Sequence, residues 1–105
     1  MKAIIYHEVG EVDVLKHQDV DVPQIGDDEV LIRVRASSLN HLDLRLRAGK
    51  SPRPVDLPHI GGIDVAGDVE EVGANVTDIT PGTRVVVDPT VKTPKGNLVV
   101  GVNLH

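Results

Sequence analysis

The chain lacks cysteine, phenylalanine and tryptophan, and Tyr6 is its one aromatic residue among 105. Without cysteine, neither a disulfide bond nor a thiolate zinc site can form. Without large aromatic side chains, the core must be built from valine, leucine and isoleucine, which favours strands over helices. The length is enough for one domain with a modest core.

Positive charge is scarce, and long apolar runs are missing. The formal net charge is −5, whereas phosphate binding needs a basic surface, so we expect no nucleic-acid partner. No run approaches the roughly 20 apolar residues of a membrane span, and no secretory signal is present, so we expect no membrane partner and a cytoplasmic location. Arg33, Arg35, Arg45 and Arg47 are the local basic residues, and they favour a solvated face over a phosphate site.

Short apolar runs separated by glycine and proline predict a mainly β chain. Strands are expected at residues 2–7, 12–16, 29–36, 65–72, 84–87 and 98–102. Ser37 and Ser38 are expected to cap a short helix that ends at Gly49, with Leu39, Leu42 and Leu46 on its packed face. The pattern predicts a mostly antiparallel, partly open barrel with one or two short helices.

Two glycine positions carry structural predictions. Gly67 interrupts the apolar run at residues 65–72, where it shares one face with Val65 and Val69, and it indicates a bulge or the close approach of another backbone. Pro81 and Gly82 predict a tight turn before the next strand, because proline presets φ and glycine accepts a left-handed position.

The segment from Pro58 to Val87 carries G-x-D-x-A-G-x-V-E-E-V-G-x-x-V-T followed by P-G-x-R-V-V-V. Together with MKAIIYHEVGEVDVLK and VPQIGDDEVLIRVRASSLNHLD in the same order, it resembles the N-terminal GroES-like domain of the medium-chain dehydrogenase/reductases. That superfamily includes zinc alcohol dehydrogenases and quinone oxidoreductases. The resemblance covers about residues 1–89 of a domain assigned to 1–105, and residues 90–105 form an atypical tail. It implies a GroES-like barrel.

The resemblance does not extend to zinc ligands. Asn40 stands where the zinc enzymes carry a cysteine ligand, and Ile63 stands where they carry the histidine of Gly-His-Glu. The four cysteines of their structural zinc lobe are also missing. Asparagine occurs at this position in the zinc-independent quinone oxidoreductases, so the resemblance implies a pocket amide. The five histidines show no H-x-x-x-H or H-x-H spacing, and no metal site is expected.

Asn40, His41 and Asp43 are, by resemblance, the candidate catalytic residues on the substrate side. Asn40 either offers its amide to a carbonyl or hydroxyl group in a pocket, or bonds local backbone near the helix start. His41 either contacts a nicotinamide ribose or relays a proton, or is a half-exposed helix residue. Asp43 is expected to orient local backbone or to pair with Arg47, four residues later.

No cofactor-binding residue is expected in the isolated chain. The glycines at 61, 62 and 67 do not form G-x-G-x-x-G at the opening of a helix, and the βαβ unit that such a fingerprint requires is missing. The resemblance implies NAD(P)H for a complete enzyme, bound by a separate or missing Rossmann domain.

Two functions of different class fit these observations. The chain is either the substrate-side GroES-like domain of an alcohol dehydrogenase/quinone oxidoreductase-like, NAD(P)H-dependent oxidoreductase, truncated and inactive alone, or a non-catalytic GroES-like interaction or scaffold module. A barrel separated from its partner exposes apolar surface, so a homo-oligomer is also expected.

Overall fold

A computed structural model describes residues 1–52, 55–93 and 96–99, and within these ranges the chain is mainly β. The strands are β1 Lys2–Tyr6, β2 Lys16–Asp19, β3 Val30–Ser38, β4 His59–Ile60, β5 Asp64–Val72, β6 Arg84–Val86, β7 Thr90–Thr93 and β8 Gly96–Val99. One α-helix, α1 His41–Arg47, and a 3-10 turn at Val12–Val14 complete the described part.

Three antiparallel sheets organise these strands, in the orders β2-β1-β4, β3-β5-β6 and β7-β8. Because the sheets do not close on one another, they confirm the predicted partly open GroES-like barrel. The strand expected at residues 98–102 overlaps β8, while residues 100–102 lie outside the described part.

The hairpin of β3 and β5 forms the centre of the fold. On β5, Val65, Gly67 and Val69 are buried and alternate with less buried neighbours, as the period-2 pattern predicts. Gly67 lies opposite Val34, and a Cβ atom there would overlap the carbonyl oxygen of Arg33. The prediction of a close backbone approach at Gly67 is therefore confirmed. A register shift also lies at this point, between Val34 and Ala36, which pair with Gly67 and Ala66, and a second shift lies between Leu31 and Ile32.

The prediction of a strand at residues 12–16 was wrong. Residues Val12–Val14 form a 3-10 turn that buries Val14, and β2 begins only at Lys16. Strand β2 pairs with β1, with Lys16 opposite Ile5. Alternating valine and aspartate is compatible with either a strand or a tight turn. The structure has the turn, in which Val14 is buried.

The predicted start of the helix was also wrong in detail. Ser37 and Ser38 belong to β3, and Asn40 is the N-cap of α1. Leu39 precedes the helix and is 91% exposed, so it contributes nothing to a packed helix face. Serine is a good capping residue, but pairing with β5 keeps the chain extended through Ser38.

The buried core is small and aliphatic apart from one tyrosine. Its members are Ile5, Tyr6, Val14, Ile63, Val65 and Val69. The ring of Tyr6 lies against that of His59, with centroids 5.4 Å apart. Between the two larger sheets runs an open, mostly apolar groove of about 520 Å³, here called the inter-sheet groove, whose lining includes Ile4, Val22, Leu31, Ile32, Val34, Leu39, Gly62 and Val65.

Candidate functional site

Asp43 holds the start of α1 against the turn that precedes β5. One carboxylate oxygen, Oδ2, accepts a hydrogen bond from the backbone N–H of Asn40 at 2.9 Å, which is the carboxylate half of a capping box. The other, Oδ1, accepts from the backbone N–H of Gly62 at 3.2 Å. Gly62 has φ of +123°, a conformation that side chains other than glycine rarely adopt. Asp43 therefore connects the start of α1 to a backbone segment that lies 19 residues after Asp43 in the sequence.

The side chain of Asn40 is bonded to Asp64, the first residue of β5. Its amide nitrogen, Nδ2, donates to Oδ2 of Asp64 at 2.8 Å, and the hydroxyl of Ser38 donates to the same oxygen at 2.9 Å. These two hydrogen bonds lower the pKa of the Asp64 carboxyl group, the one from Asn40 having the larger effect. Asn40, Ser38 and Asp64, here called the amide cluster, join the end of β3, the start of α1 and the start of β5.

Sequence reasoning named Asn40 and Asp43 but missed the partners of Asn40. Asp64 was not among the candidate site residues, and Ser38 was considered only as a helix cap. The relevant signal is the pairing of β3 with β5, which places Ser38 opposite Asp64. Strand register depends on contacts between residues distant in sequence, so the sequence of either strand alone does not indicate the pair.

The local backbone role expected of Asp43 is present, whereas Arg47 has a different contact. The Nε group of Arg47 donates to the carbonyl oxygen of Gly10 at 3.4 Å. Asp43 and Arg47 also act electrostatically on buried Tyr6. Burial is the main cause of a raised Tyr6 pKa, Asp43 raises it further, and Arg47 lowers it.

His41 occupies the first position of α1, directly after Asn40, and its side chain is exposed. The structure thus places the three predicted site residues on one helix end, with Asn40 and Asp43 in the hydrogen-bond network and His41 beside it. Gly62 belongs both to this network and to the lining of the inter-sheet groove. A polar cluster therefore adjoins one part of an apolar groove, the usual composition of a site for a small organic molecule.

The residues present do not fit a catalytic zinc ion. Ile63 is 6% exposed and belongs to the core, and its aliphatic side chain has no donor atom. Asn40 and Asp64 bond to each other. Across residues 1–52, 55–93 and 96–99, no three histidine, cysteine, aspartate or glutamate side chains are grouped so that they could hold a metal ion.

The arginines of β3 form cross-strand ion pairs on an exposed face. Arg33 pairs with Glu70, and Arg35 pairs with Asp68 at 2.8 Å. Both arginine side chains remain more than half exposed, which agrees for these two residues with the solvated face favoured from the sequence. Arg47, which belonged to the same prediction, is half-buried. The described residues also contain no helix that is long and apolar enough to cross a membrane.

Comparison with known proteins identifies the relatives of this chain. Residues 26–100 match the family described as "Alcohol dehydrogenase GroES-like domain". The chain is 42% identical over 98 residues to the chloroplastic NADPH-dependent alkenal/one oxidoreductase of Arabidopsis thaliana, covering 91% of this chain and 25% of that protein. It is also 42% identical to the quinone oxidoreductase of Lama guanicoe, covering 87% of this chain and 28% of that protein.

A solved structure gives the same result for the fold. A crystal structure of an NAD-dependent alcohol dehydrogenase superposes with a TM-score of 0.81 at 39% identity, covering 88% of this chain and 27% of that one. The chain thus spans about a quarter of the length of the relatives that it matches.

Proposed function

Because the chain belongs to the alcohol dehydrogenase GroES-like domain family, we propose that it is the substrate-side domain of an NAD(P)H-dependent oxidoreductase of the zinc-independent type. The observation that carries this proposal is the polar helix end of Asn40, His41 and Asp43 beside the apolar inter-sheet groove. A quinone, enone or carbonyl compound has the matching character, an apolar body with a polar oxygen.

Turnover is proposed to require a second domain that holds the cofactor. A dinucleotide site of the usual kind needs parallel strands joined by a helix, with a glycine-rich turn at the helix start. Every strand pair in the described part of the chain is antiparallel, so its residues do not fit that role. When bound, NAD(P)H supplies the hydride, and this chain contributes the substrate surface and its hydrogen bonds.

Each candidate residue has a distinct role in this proposal. Asn40 offers its amide to the substrate oxygen, and exposed His41 faces the cofactor side or relays a proton through solvent. Asp43 acts on backbone, because both of its carboxylate oxygens accept hydrogen bonds from main-chain N–H groups. Three further statements remain predictions: that the domain spans residues 1–105, that the protein is cytoplasmic, and that it associates with itself through exposed apolar surface.

Reconstitution tests this proposal directly. The purified 105-residue chain should show no NAD(P)H-dependent reduction of quinones or enones, and turnover should appear when a Rossmann domain from a close relative is fused to it or added in trans. Precise placement of the reacting groups supplies much of the rate, so neither part should suffice alone. Asn40→Ala should lower turnover in the reconstituted enzyme.

The matched control is Asn75→Ala, which removes an amide bonded to Asp28 in a different region. Substantial activity of the isolated chain would contradict the need for a second domain. If several Rossmann domains bound tightly and none restored turnover, the non-catalytic interaction module would be the better description.

A further inference from the structure

We propose that Asp64, together with Ser38, is a positioning residue that sets the orientation of the Asn40 amide in the substrate-side site. This inference deepens the proposed function and depends on it for its catalytic consequence. Its structural part stands on the amide cluster alone, in which Nδ2 of Asn40 and Oγ of Ser38 both donate to Oδ2 of Asp64.

The chemistry of the partner decides which way the amide points. An ionised carboxylate only accepts hydrogen bonds, whereas an amide has a donating nitrogen and an accepting oxygen. If the Asn40 amide were flipped, its oxygen would face the carboxylate and both groups would lose a hydrogen bond. Asp64 therefore holds one N–H of Nδ2 towards itself, and the second N–H of the same nitrogen is the donor that the proposed function assigns to the substrate oxygen.

Ser38 supports this arrangement from the neighbouring strand. It lies opposite Asp64 in the pairing of β3 with β5, and its hydroxyl donates to the oxygen that Asn40 also uses. A second donor stabilises the ionised form of Asp64, in agreement with its lowered pKa. Because the whole cluster is exposed to water, one hydrogen bond alone would hold the amide only weakly, and the hydroxyl of Ser38 helps to fix the carboxylate to which the amide is bonded.

The two aspartates of this region have separate tasks. Asp43 bonds the backbone N–H groups of Asn40 and Gly62 and so fixes where the helix begins. Asp64 bonds the side chain of Asn40 and so fixes how the amide is turned. Removing Asp64 should therefore leave the backbone of α1 in place while the amide gains rotational freedom. Rotation of this side chain distinguishes a positioning role from a general structural one.

Nuclear magnetic resonance of the 15N-labelled chain measures this rotation without any assay of activity. The side-chain NH₂ signals of Asn40 should shift as Asp64 is protonated, with a midpoint below the ordinary pKa of aspartate. Asp64→Asn should abolish this titration, and Ser38→Ala should move its midpoint upward. The NH₂ signals of Asn75, bonded to Asp28, should not respond to either substitution. Asn40 signals that stay constant through the titration, or that titrate equally in Asp64→Asn, would overturn the proposal.

Kinetics of the reconstituted enzyme then test whether the orientation matters for turnover. Asp64→Asn should lower kcat severalfold, and the double variant with Asn40→Ala should lose no more than Asn40→Ala alone, because Asp64 acts through that amide. Additive losses would overturn the positioning role. If the reconstituted wild type shows no turnover but the titration is present, the proposed function fails while the orientation of Asn40 by Asp64 stands.

Discussion

At the scale of single residues, Gly67 shows how closely the two central strands approach. A Cβ atom at this position would overlap the carbonyl oxygen of Arg33, and it would lie 2.9 Å from Cγ2 of Ile32. Gly67 is not among the described glycines with positive φ. Glycine is therefore required at this position because there is no room for a side chain, not because the backbone has a conformation that other residues avoid.

Gly67→Val should lower the free energy of unfolding by more than about 1 kcal/mol, the scale of overpacking in a filled interior. Urea denaturation followed by circular dichroism measures the change. The control is Gly61→Ala, because a Cβ atom at Gly61 meets no other atom within 4 Å. An unchanged midpoint and slope for Gly67→Val would contradict the close-approach explanation.

At the scale of elements, α1 depends on both of its ends. A helix of seven residues is too short to be stable in water by itself. Its N-terminus is held by Asp43, and its C-terminus closes at Gly49, where φ is +73°. There the N–H of Lys50 donates to the carbonyl of Arg45 at 2.9 Å and the N–H of Gly49 donates to that of Leu46 at 3.2 Å, the pattern of a Schellman motif.

Asp43→Ala should destabilise the chain by about 1 kcal/mol, because it removes the acceptor for the Asn40 N–H and leaves the Gly62 N–H without its side-chain partner. Thermal unfolding and amide hydrogen exchange at residues 41–47 measure the global and local effects. Asp21→Ala, which removes an exposed carboxylate elsewhere, is the control. Equal effects of the two substitutions would show that the contacts of Asp43 do not stabilise the helix start.

At the scale of the whole molecule, the fold places the polar residues at the start of α1 beside the inter-sheet groove, and the groove itself is not filled by side chains. Few side chains are fully buried, and several apolar ones along the groove remain exposed, among them Ile4 at 49%, Val22 at 54% and Leu39 at 91%. Ile63, which is buried, and Asn40, whose amide is bonded to Asp64, stand at the sequence positions that correspond to zinc ligands in the zinc alcohol dehydrogenases. Hydrogen bonds, not metal coordination, therefore hold Asn40 in place.

The dialysed chain should bind no zinc in stoichiometric amount. The reason is the chemistry of Ile63, which has no donor atom, and of Asn40, a poor zinc ligand compared with the thiolate it replaces. Elemental analysis after incubation with zinc and exhaustive dialysis gives the measurement, with a zinc-type alcohol dehydrogenase treated in parallel as the positive control. One equivalent of retained zinc would refute the prediction.

Features that depend on local chemistry could be predicted from the sequence alone. The alternation at residues 65–69 predicted the buried face of β5. Pro81 and Gly82 predicted a turn, in which Gly82 has φ of +92°, and Gly49 predicted the end of α1. The order of motifs also predicted the family. These features depend on residues that are close in sequence: the period of side chains along a strand, the fixed φ of proline, and the access of glycine to positive φ. They can therefore be predicted from the sequence.

Contacts between residues that are distant in sequence depend on the folded chain and could not be predicted in this way. Strand register placed Ser38 opposite Asp64 and so gave Asn40 its carboxylate partner. Burial turned residues 12–14 into a 3-10 turn, and pairing with β5 kept Ser37 and Ser38 in a strand. In each case the local pattern was compatible with two conformations. Contacts with distant residues selected one of the two, because long-range packing outweighs weak local preference. In the amide cluster, the bonded residues are 24 and 26 positions apart in the sequence.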